Sequence, residues 1–281
     1  MSARSEAVLI TGCSTGIGRA TAERLAKAGR TVYATARKEE AIADLRGLGC
    51  KTLALDVTDE ASMQAAVDHV VEAEGAVGAL VNNAGYSQSG AIETVSPEDL
   101  RRQFETNVFG LIRMCQLVLP GMREQRYGRI VNISSMGAEL TFPGGGVYHS
   151  TKYAVEAITD ALRFEVKGFG IGVTVLQPGL IKTEFGTTAV GGIDAGDGPY
   201  GTFNAGVAKA TADTYSNGPF AKFASQPDAV AKAIEAAITA KSAPIRKRIG
   251  ISAHAIVGQR KLMTDGLWDR FLATQFPRPG A

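Results

Sequence analysis

Residues 7–18 read AVLITGCSTGIG, and this stretch decides the fold. A short apolar run at 7–11 leads through a turn rich in glycine to residues 17–28, where apolar residues recur at helical spacing. Glycine permits positive φ and lets backbone N–H groups approach a pyrophosphate, which then lies at the N-terminus of the following helix. The stretch therefore predicts a strand, a phosphate-binding turn and a helix that open a dinucleotide-binding sheet.

The glycines of the turn are spaced G-x-x-x-G-x-G, whereas the general dinucleotide fingerprint is G-x-G-x-x-G. A glycine-rich turn can also be purely structural, but the position of this one between a first strand and a helix favours phosphate binding. We therefore expect the turn to bind a cofactor. Its candidate cofactor-binding residues are Gly12, Ser14, Thr15, Gly16, Ile17 and Gly18.

From residue 7 to about residue 180, the chain alternates short apolar runs with longer segments of helical periodicity, which is typical of repeated βαβ units. Further strands are predicted at 31–35, 51–55, 78–82, 128–134 and 171–177, and helices at 38–46, 60–73, 98–126 and 148–167. In the helix at 98–126, one apolar stripe is predicted from Leu100 to Met114. The expected fold class is α/β, a Rossmann-type doubly wound parallel sheet in a single domain over residues 1–281.

Residues 183–224 break this rhythm, because glycine, alanine and threonine dominate and few large apolar residues are in phase. A long insertion of this kind in a compact domain is usually functional, and it leaves the sheet at its carboxyl edge, so we expect it to be a substrate lid. A helix is then predicted at 227–240 and a last strand at 245–249. The final region, 241–281, is thus expected to hold a C-terminal strand and a helical tail.

The formal net charge of +2 gives no reason to expect nucleic acid or a membrane as a partner. Cys13, Cys50 and Cys115 are scattered without paired spacing, which suits a reducing compartment. The first apolar run stops at Thr11, too early for a signal peptide or a membrane span. We therefore expect a cytoplasmic protein.

The three histidines, His69, His149 and His254, share no ligand spacing with cysteines or carboxylates, so no metal site is predicted. His149 directly follows Tyr148, but it should point elsewhere on a helix, and we assign it no catalytic role. Besides a cofactor, the expected ligand is a small-molecule substrate.

Tyr148 and Lys152 lie four residues apart in a predicted helix, so their side chains share one face and can reach one ligand together. A free tyrosine has a pKa of about 10, too high for a good base at neutral pH. A neighbouring ammonium favours the phenolate and brings the tyrosine closer to working range. This pair therefore predicts proton transfer by Tyr148, assisted by Lys152.

Three further motifs accompany the turn and the Tyr-Lys pair: Asn82-Asn83-Ala84-Gly85 after the fourth strand, Ser135 after the fifth and Pro178-Gly179 after the sixth. With these motifs in order over residues 6 to 183, the chain resembles the short-chain dehydrogenase/reductase family, in the subgroup with a TGxxxGIG turn. The resemblance implies a nicotinamide cofactor and interconversion of an alcohol and a carbonyl.

The resemblance also implies a role for each catalytic candidate. Tyr148 would exchange a proton with the substrate oxygen, Lys152 would also bind the nicotinamide ribose, and Ser135 would hold and polarise the substrate oxygen, with Ser134 as the adjacent contender. Asn107 matches an asparagine that holds a water linking Lys152 to solvent; a purely structural hydrogen bond is its alternative.

Several cofactor contacts follow from the same resemblance. Asp56 would contact the adenine, and Asn83, Ala84 and Gly85 would line the adenosine side, although Asn83 could equally tie strands together. The residues expected near the nicotinamide are Pro178, Gly179, Ile181 and Thr183.

The choice of cofactor is predicted from the end of the second strand, which carries Ala36 and Arg37 and no carboxylate. An acidic residue there would bind the ribose hydroxyls and repel a 2′-phosphate, whereas an arginine would pair with that phosphate. We therefore predict NADP as the cofactor, with NAD as the alternative.

The region around residues 33–37 and the long lid are similar to those of hydroxysteroid and retinol dehydrogenases, which suggests a bulky apolar secondary alcohol or ketone. Two other functions stay open: an NAD-dependent epimerase or dehydratase, and a catalytically silent module that senses the cofactor. The glycine spacing disfavours the first, and the presence of Ser135, Tyr148 and Lys152 together disfavours the second. The resemblance further implies a homodimer or homotetramer paired through helices 98–126 and 148–167.

Overall fold

A computed structural model describes residues 4–191, 193, 196–215 and 221–280. Its sheet is parallel and seven-stranded, in the order β3-β2-β1-β4-β5-β6-β7. The strands are β1 (Val8–Ile10), β2 (Val32–Ala36), β3 (Lys51–Ala54), β4 (Ala79–Asn82), β5 (Gly128–Ile133), β6 (Ile171–Pro178) and β7 (Arg246–Ile249). This architecture confirms the predicted α/β, Rossmann-type doubly wound sheet.

Helices cover both faces of the sheet, and each face has its own apolar cluster. The α-helices of the described residues are α1 (Gly16–Lys27), α2 (Glu60–Glu74), α3 (Pro97–Phe104), α4 (Gly110–Glu124), α5 (Gly146–Val166), α6 (Phe185–Val190), α7 (Gly201–Tyr215), α8 (Pro227–Thr239), α9 (Ile251–Leu262) and α10 (Asp265–Ala273). One cluster joins the sheet to α1 and α8, and the other joins it to α2, α4 and α5. Burial on both faces explains why the central strands are continuously apolar rather than alternating.

The helix predicted at 98–126 is present, but a π-helical segment that the sequence did not predict interrupts its α-helical geometry. The structure has α3, then a π-helical segment over Glu105–Phe109, then α4. A π turn holds more residues than an α turn, so side chains before and after it do not stay on one face. Leu100 is accordingly exposed at 41%, whereas Leu111 and Met114 are buried.

Two other predicted elements also differ. The segment predicted as a helix at 38–46 is a 3-10 helix over Glu39–Leu48, closed by Gly49 at a φ of 90°. The insertion at 183–224 contains α6 and α7, which its weak pattern did not reveal because small residues dominate both. Residues 192, 194–195 and 216–220 of the predicted lid lie outside the described residues.

The strand order changes direction between β1 and β4, which are neighbours in the sheet but not in sequence. In open α/β sheets, ligands bind at such a point, outside the carboxyl ends of the strands. The turn after β1 and the Asn83-Ala84-Gly85 segment after β4 therefore face the same crevice. In the described part of the chain, the helices are all too short or too polar to cross a membrane.

Candidate active site

A cavity of about 1230 Å³ opens at the carboxyl ends of the strands. Among the residues predicted to bind cofactor or substrate, only Gly18 and Asn107 do not line it. Gly18 lies behind the turn: a Cβ there would lie 2.2 Å from the Gly12 carbonyl oxygen and 2.5 Å from Asn83 Nδ2. A glycine is therefore required at position 18 so that the turn can close, and not for direct contact with a ligand.

The turn at 11–18 has the conformation that the sequence predicts. Gly12 and Gly16 adopt φ values of 74° and 60°, which residues with side chains rarely adopt. Helix α1 begins at Gly16, and its N-cap residue Thr15 makes no side-chain capping bond. The first N–H groups of α1 therefore point into the crevice without a side-chain acceptor, as a bound phosphate would require.

Thr11 and Asn83 tie the loop after β1 to the loop after β4. The Thr11 hydroxyl accepts hydrogen bonds from the backbone N–H groups of Asn83 and Ala84, both at 3.0 Å. Asn83 Nδ2 returns two bonds of 2.9 Å, to the carbonyl oxygens of Thr11 and Gly12. Asn83 thus has the structural function that the sequence left open, and it also lines the cavity.

At the end of β2, Arg37 is exposed and lines the cavity. Within the described residues its guanidinium forms no ion pair, unlike Arg19 and Arg24 on the adjacent helix α1. Asp56 lines the same region, and its Oδ1 accepts bonds from the Thr58 amide and hydroxyl at 2.9 and 2.8 Å.

Helix α5 places Tyr148 and Lys152 side by side. Lys152 Nζ donates a 2.9 Å bond to the carbonyl oxygen of Ile133 and lies 5.7 Å from the centre of the Tyr148 ring. Only 7% of Lys152 is exposed. Burial lowers the pKa of Lys152 to about 8, and the negative charge of Glu156 opposes this shift.

A polar ladder inside the protein sets the position of α5. Asn82 Nδ2 donates to Asn132 Oδ1 at 2.9 Å, and Asn132 Nδ2 donates to the Thr159 hydroxyl at 2.9 Å. All three residues are buried, so these bonds are hard to exchange for water. Thr159 lies two helical turns beyond Lys152, and its bond thereby fixes the register of α5 on the sheet.

The structure distinguishes the two serine contenders. Ser135 is half-buried at the cavity, and its hydroxyl oxygen accepts a 3.0 Å bond from the Gly137 N–H. Ser134 is 3% exposed, and in the described structure its hydroxyl has no hydrogen-bond partner. Both serines line the cavity, and a bound molecule could supply the partner that Ser134 lacks.

Asn107 lies in the π-helical segment, where it clamps three elements together. Its Nδ2 donates to the Tyr86 carbonyl at 3.0 Å and to the Thr151 hydroxyl at 3.1 Å, and its Oδ1 accepts from the Tyr86 N–H at 3.1 Å. A Cβ on Gly85 would lie 3.1 Å from this Oδ1 and 3.8 Å from Lys152 Nζ. The glycine therefore lets the asparagine and the lysine face one small space.

The cavity is also lined by residues to which the sequence assigned no role. Ser87, Gln88 and Ser89 are buried polar residues that begin two positions after the Asn-Asn-Ala-Gly motif, and this place at the sheet edge could have indicated them. The apolar part of this wall comes from distant segments and includes Phe142, Phe185, Val207, Ile256, Phe271 and Phe276. No local pattern marks these six, because only the tertiary fold brings them together. His149, which the sequence analysis set aside, also lines the cavity.

These features fit a dinucleotide. The turn offers N–H donors and close backbone approach. Among the described residues, Arg37 offers a cation without an ion-pair partner and Ser134 offers a hydroxyl without a hydrogen-bond partner. Across the residues that the structure describes, no group of three His, Cys, Asp or Glu side chains is arranged to hold a metal ion.

Sequence comparison identifies relatives. A family model described as short chain dehydrogenase matches residues 6–191. A 3-ketodihydrosphingosine reductase of Bacteroides thetaiotaomicron is 42% identical over 179 residues, which cover 63% of this chain and 65% of that relative. The uncharacterized oxidoreductase YbbO of Escherichia coli is 30% identical over 268 residues, which cover 95% of this chain and 94% of the relative.

Solved structures show the same fold. A short-chain dehydrogenase from Streptomyces avermitilis matches with a TM-score of 0.76 and 32% identity, over 96% of this chain and 95% of the other. The closed form of a serine dehydrogenase complexed with NADP+ matches with a TM-score of 0.75 and 30% identity, over 87% and 94%. A short chain dehydrogenase/reductase from Burkholderia phymatum in complex with NAD has a TM-score of 0.78 and 26% identity, over 92% of each chain. The neighbours support a nicotinamide cofactor and do not decide between its two forms.

The buried ammonium of Lys152 should reduce stability at neutral pH. The pKa of Lys152 falls from 10.5 to about 8 on folding, so the unfolded chain binds this proton more tightly and the stability of the wild type rises between these two values. We expect the stability of Lys152→Met relative to the wild type to fall by on the order of 3 kcal/mol between pH 7 and about pH 10.5, because only the wild type carries the buried ammonium at the lower pH.

Urea unfolding of both proteins at the two pH values measures this difference. The variant also loses the bond to the Ile133 carbonyl, but it loses it at both pH values, so the change between them isolates the titration. A stability difference between the two proteins that stays constant with pH would contradict the lowered pKa of Lys152.

Proposed function

The chain belongs to the short-chain dehydrogenase family, and from this premise we propose that it transfers a hydride between NADP(H) and a bulky, apolar secondary alcohol or ketone. It is an oxidoreductase by family, and the NADP preference, the substrate class and the residue roles are the proposal. The observation that carries it is the position of Ser135, Tyr148 and Lys152 along one cavity with the glycine turn at 11–18. Neither an epimerase nor a silent cofactor sensor gains support from this arrangement.

A bound nicotinamide would supply or accept the hydride. Tyr148 is proposed to give its proton to the carbonyl oxygen during reduction and to take it back during oxidation. Lys152 contributes positive charge beside the ring and a donor for the cofactor ribose. A pKa of about 8 leaves most of this lysine protonated at neutral pH, so it can still favour the Tyr148 phenolate.

Ser135 is proposed to hold the substrate oxygen. Its hydroxyl oxygen already accepts the Gly137 N–H, so its own proton is directed to another acceptor. A substrate carbonyl placed between Ser135 and Tyr148 would receive two hydrogen bonds, which stabilise the negative charge that develops on the oxygen.

Asn107 is proposed to hold the water that relays protons between Lys152 and solvent. Support comes from the small space beside Gly85, which both Asn107 Oδ1 and Lys152 Nζ face. A water there would have the polar partners that an ordered water needs.

The substrate proposal rests on the walls of the cavity. The aromatic residues Phe142, Phe185, Phe271 and Phe276 line the cavity and offer a bulky apolar surface. The Bacteroides relative is named as a reductase of a 3-keto compound, which supports a ketone as one of the two substrates. The enzyme is proposed to act in the cytoplasm, where its three buried free thiols would stay reduced.

Replacement of Tyr148 by Phe tests the mechanism. The variant retains the ring contacts with His149 and Phe185 but lacks the transferable proton, so kcat should fall by about 10²-fold or more while cofactor affinity stays near the wild-type value. Tyr153→Phe, on an exposed part of the same helix, serves as the matched control. Full activity in Tyr148→Phe would remove the proposed acid–base role.

Replacement of Arg37 by Ser tests the cofactor preference. The variant should bind NADPH about tenfold or more weakly and NADH about equally, because a charge-assisted bond to the 2′-phosphate is lost. Arg101→Ser has the same change in net charge, lies outside the cavity and should alter neither affinity. Calorimetric titration of the wild type and both variants with each cofactor measures the six affinities; an unchanged ratio of NADPH to NADH affinity in Arg37→Ser would overturn the preference.

Assembly into a homodimer or homotetramer is also proposed, through the faces of α4 and α5. Phe109, the residue before α4, and Phe164 of α5 are exposed at 52% and 83%. Sedimentation velocity should therefore show a dimer or tetramer, with Phe164→Asp shifting it toward monomer. A wild-type monomer at micromolar concentration would refute this assembly.

A further inference from the structure

We propose that His149 is a positioning residue that fixes both the hydroxyl of Ser135 and the substrate wall at Phe142 through the two nitrogens of its neutral imidazole. The inference rests on the proposed function, in which Ser135 binds the substrate oxygen. It concerns a residue that adjoins Tyr148 in sequence and lines the same cavity.

The imidazole lies in a slot that two glycines leave open. His149 is 7% exposed, and a Cβ on Gly137 would lie 2.4 Å from its Nδ1. On the other side, a Cβ on Gly145 would lie 2.7 Å from its Nε2. The ring therefore packs directly against the backbone of the segment at 136–145, where no larger residue would leave room for it.

The two hydrogen bonds of the ring determine its tautomer. Nδ1 lies 2.8 Å from the Gly137 carbonyl oxygen, which can only accept a hydrogen bond. Nε2 lies 3.4 Å from the Phe142 backbone N, which can only donate. The ring must therefore carry its proton on Nδ1 and a lone pair on Nε2.

Through Gly137, the ring is connected to the candidate catalytic serine. The carbonyl of Gly137 accepts from His149, and the N–H of the same residue donates to the Ser135 hydroxyl at 3.0 Å. Ser135 is also the N-cap of the short 3-10 helix Met136–Ala138. His149 thus holds the turn whose N–H sets the direction of the Ser135 hydroxyl.

Through Phe142, the same ring holds the substrate wall. The Phe142 ring lies 6.0 Å from the imidazole and 6.0 Å from Trp268 of α10, so it is packed between the two. Without the hydrogen bond from the Phe142 N–H to His149 Nε2, the Phe142 segment would be held less firmly on the side of the imidazole. A bulky substrate would then meet a less ordered surface, whereas the chemistry at Ser135 would depend on the other bond.

The surroundings favour the neutral ring that these bonds require. Burial lowers the pKa of His149. Its neighbours are the Tyr148 ring on α5, at 5.6 Å, and the segment at 136–145, where Glu139 is engaged by Arg248 and Lys261. This acid is therefore already neutralised by two cations.

A double-mutant cycle tests the connection to Ser135. We expect His149→Leu to lower kcat about tenfold in the wild-type background and to have no further effect in Ser135→Ala, because the proposed route of its effect is then absent. His254→Leu, on the exposed surface of α9, should leave kcat unchanged. A tenfold loss in both backgrounds would overturn the proposal, since His149 would then act independently of Ser135.

A second variant separates the two bonds and stands in should His149→Leu fail to fold. His149→Asn retains a donor near the Gly137 carbonyl but is too short to accept from Phe142. It should therefore recover most of kcat while KM for a bulky ketone stays raised severalfold, and KM for a small ketone should stay near the wild-type value. Equal effects on kcat and on both KM values would overturn the proposal.

If Ser135→Ala alone retains full activity, the proposed function of Ser135 fails instead. The double-mutant cycle thus shows whether the role of His149 or the role of Ser135 is wrong.

Discussion

The contact between the loops after β1 and β4 is the constraint from which the site follows. These strands are neighbours only because the strand order changes direction between them, so the loops have no chain connection to hold them together. Thr11 and Asn83 replace that connection with four hydrogen bonds of 2.9 to 3.0 Å. The glycine turn at 11–18 and the segment beside Asn107 and Lys152 are thereby fixed relative to each other.

Helix α5 adds Tyr148 and Lys152 to this frame, and the burial of Lys152 reduces stability. The Asn132–Thr159 bond fixes the register of α5, which buries Lys152 beside Tyr148. A buried ammonium with a lowered pKa opposes folding at neutral pH, a frequent feature of residues kept for function rather than for stability. The same helix carries His149, whose two bonds link it to the Gly137 carbonyl oxygen and to the Phe142 N–H.

Much of the fold could be predicted from the sequence because its signals are local. The alternation of apolar runs and helical segments, the glycine turn at 11–18 and the four-residue spacing of Tyr148 and Lys152 all indicate structure within short windows. The π-helical segment at Glu105–Phe109 has no such signal. Because of it, Leu100 is exposed and does not share the buried face that the sequence predicted. Helix α7 was hidden by its small residues.

The candidate site was predictable where a motif fixes chemistry and unpredictable where the fold supplies it. The sequence placed Ser135 and Arg37 at one cavity with the turn, as the structure does. It gave no sign of Phe271 or Phe276, which reach the cavity from the C-terminal region. It also set His149 aside, because the partners of that ring are backbone atoms of Gly137 and Phe142, which no residue type reveals.

Oxidation of NADPH by ketones is the most direct test of whether this cavity reduces ketones with a nicotinamide cofactor. Purified protein is mixed with NADPH and a panel of ketones graded from small to bulky and apolar, and loss of the reduced nicotinamide absorbance is followed. We expect NADPH to be consumed faster with bulky apolar ketones than with small ones, and NADH to be consumed more slowly than NADPH. Tight binding of NADPH without turnover of any ketone, or of the matching alcohols with NADP+, would contradict it.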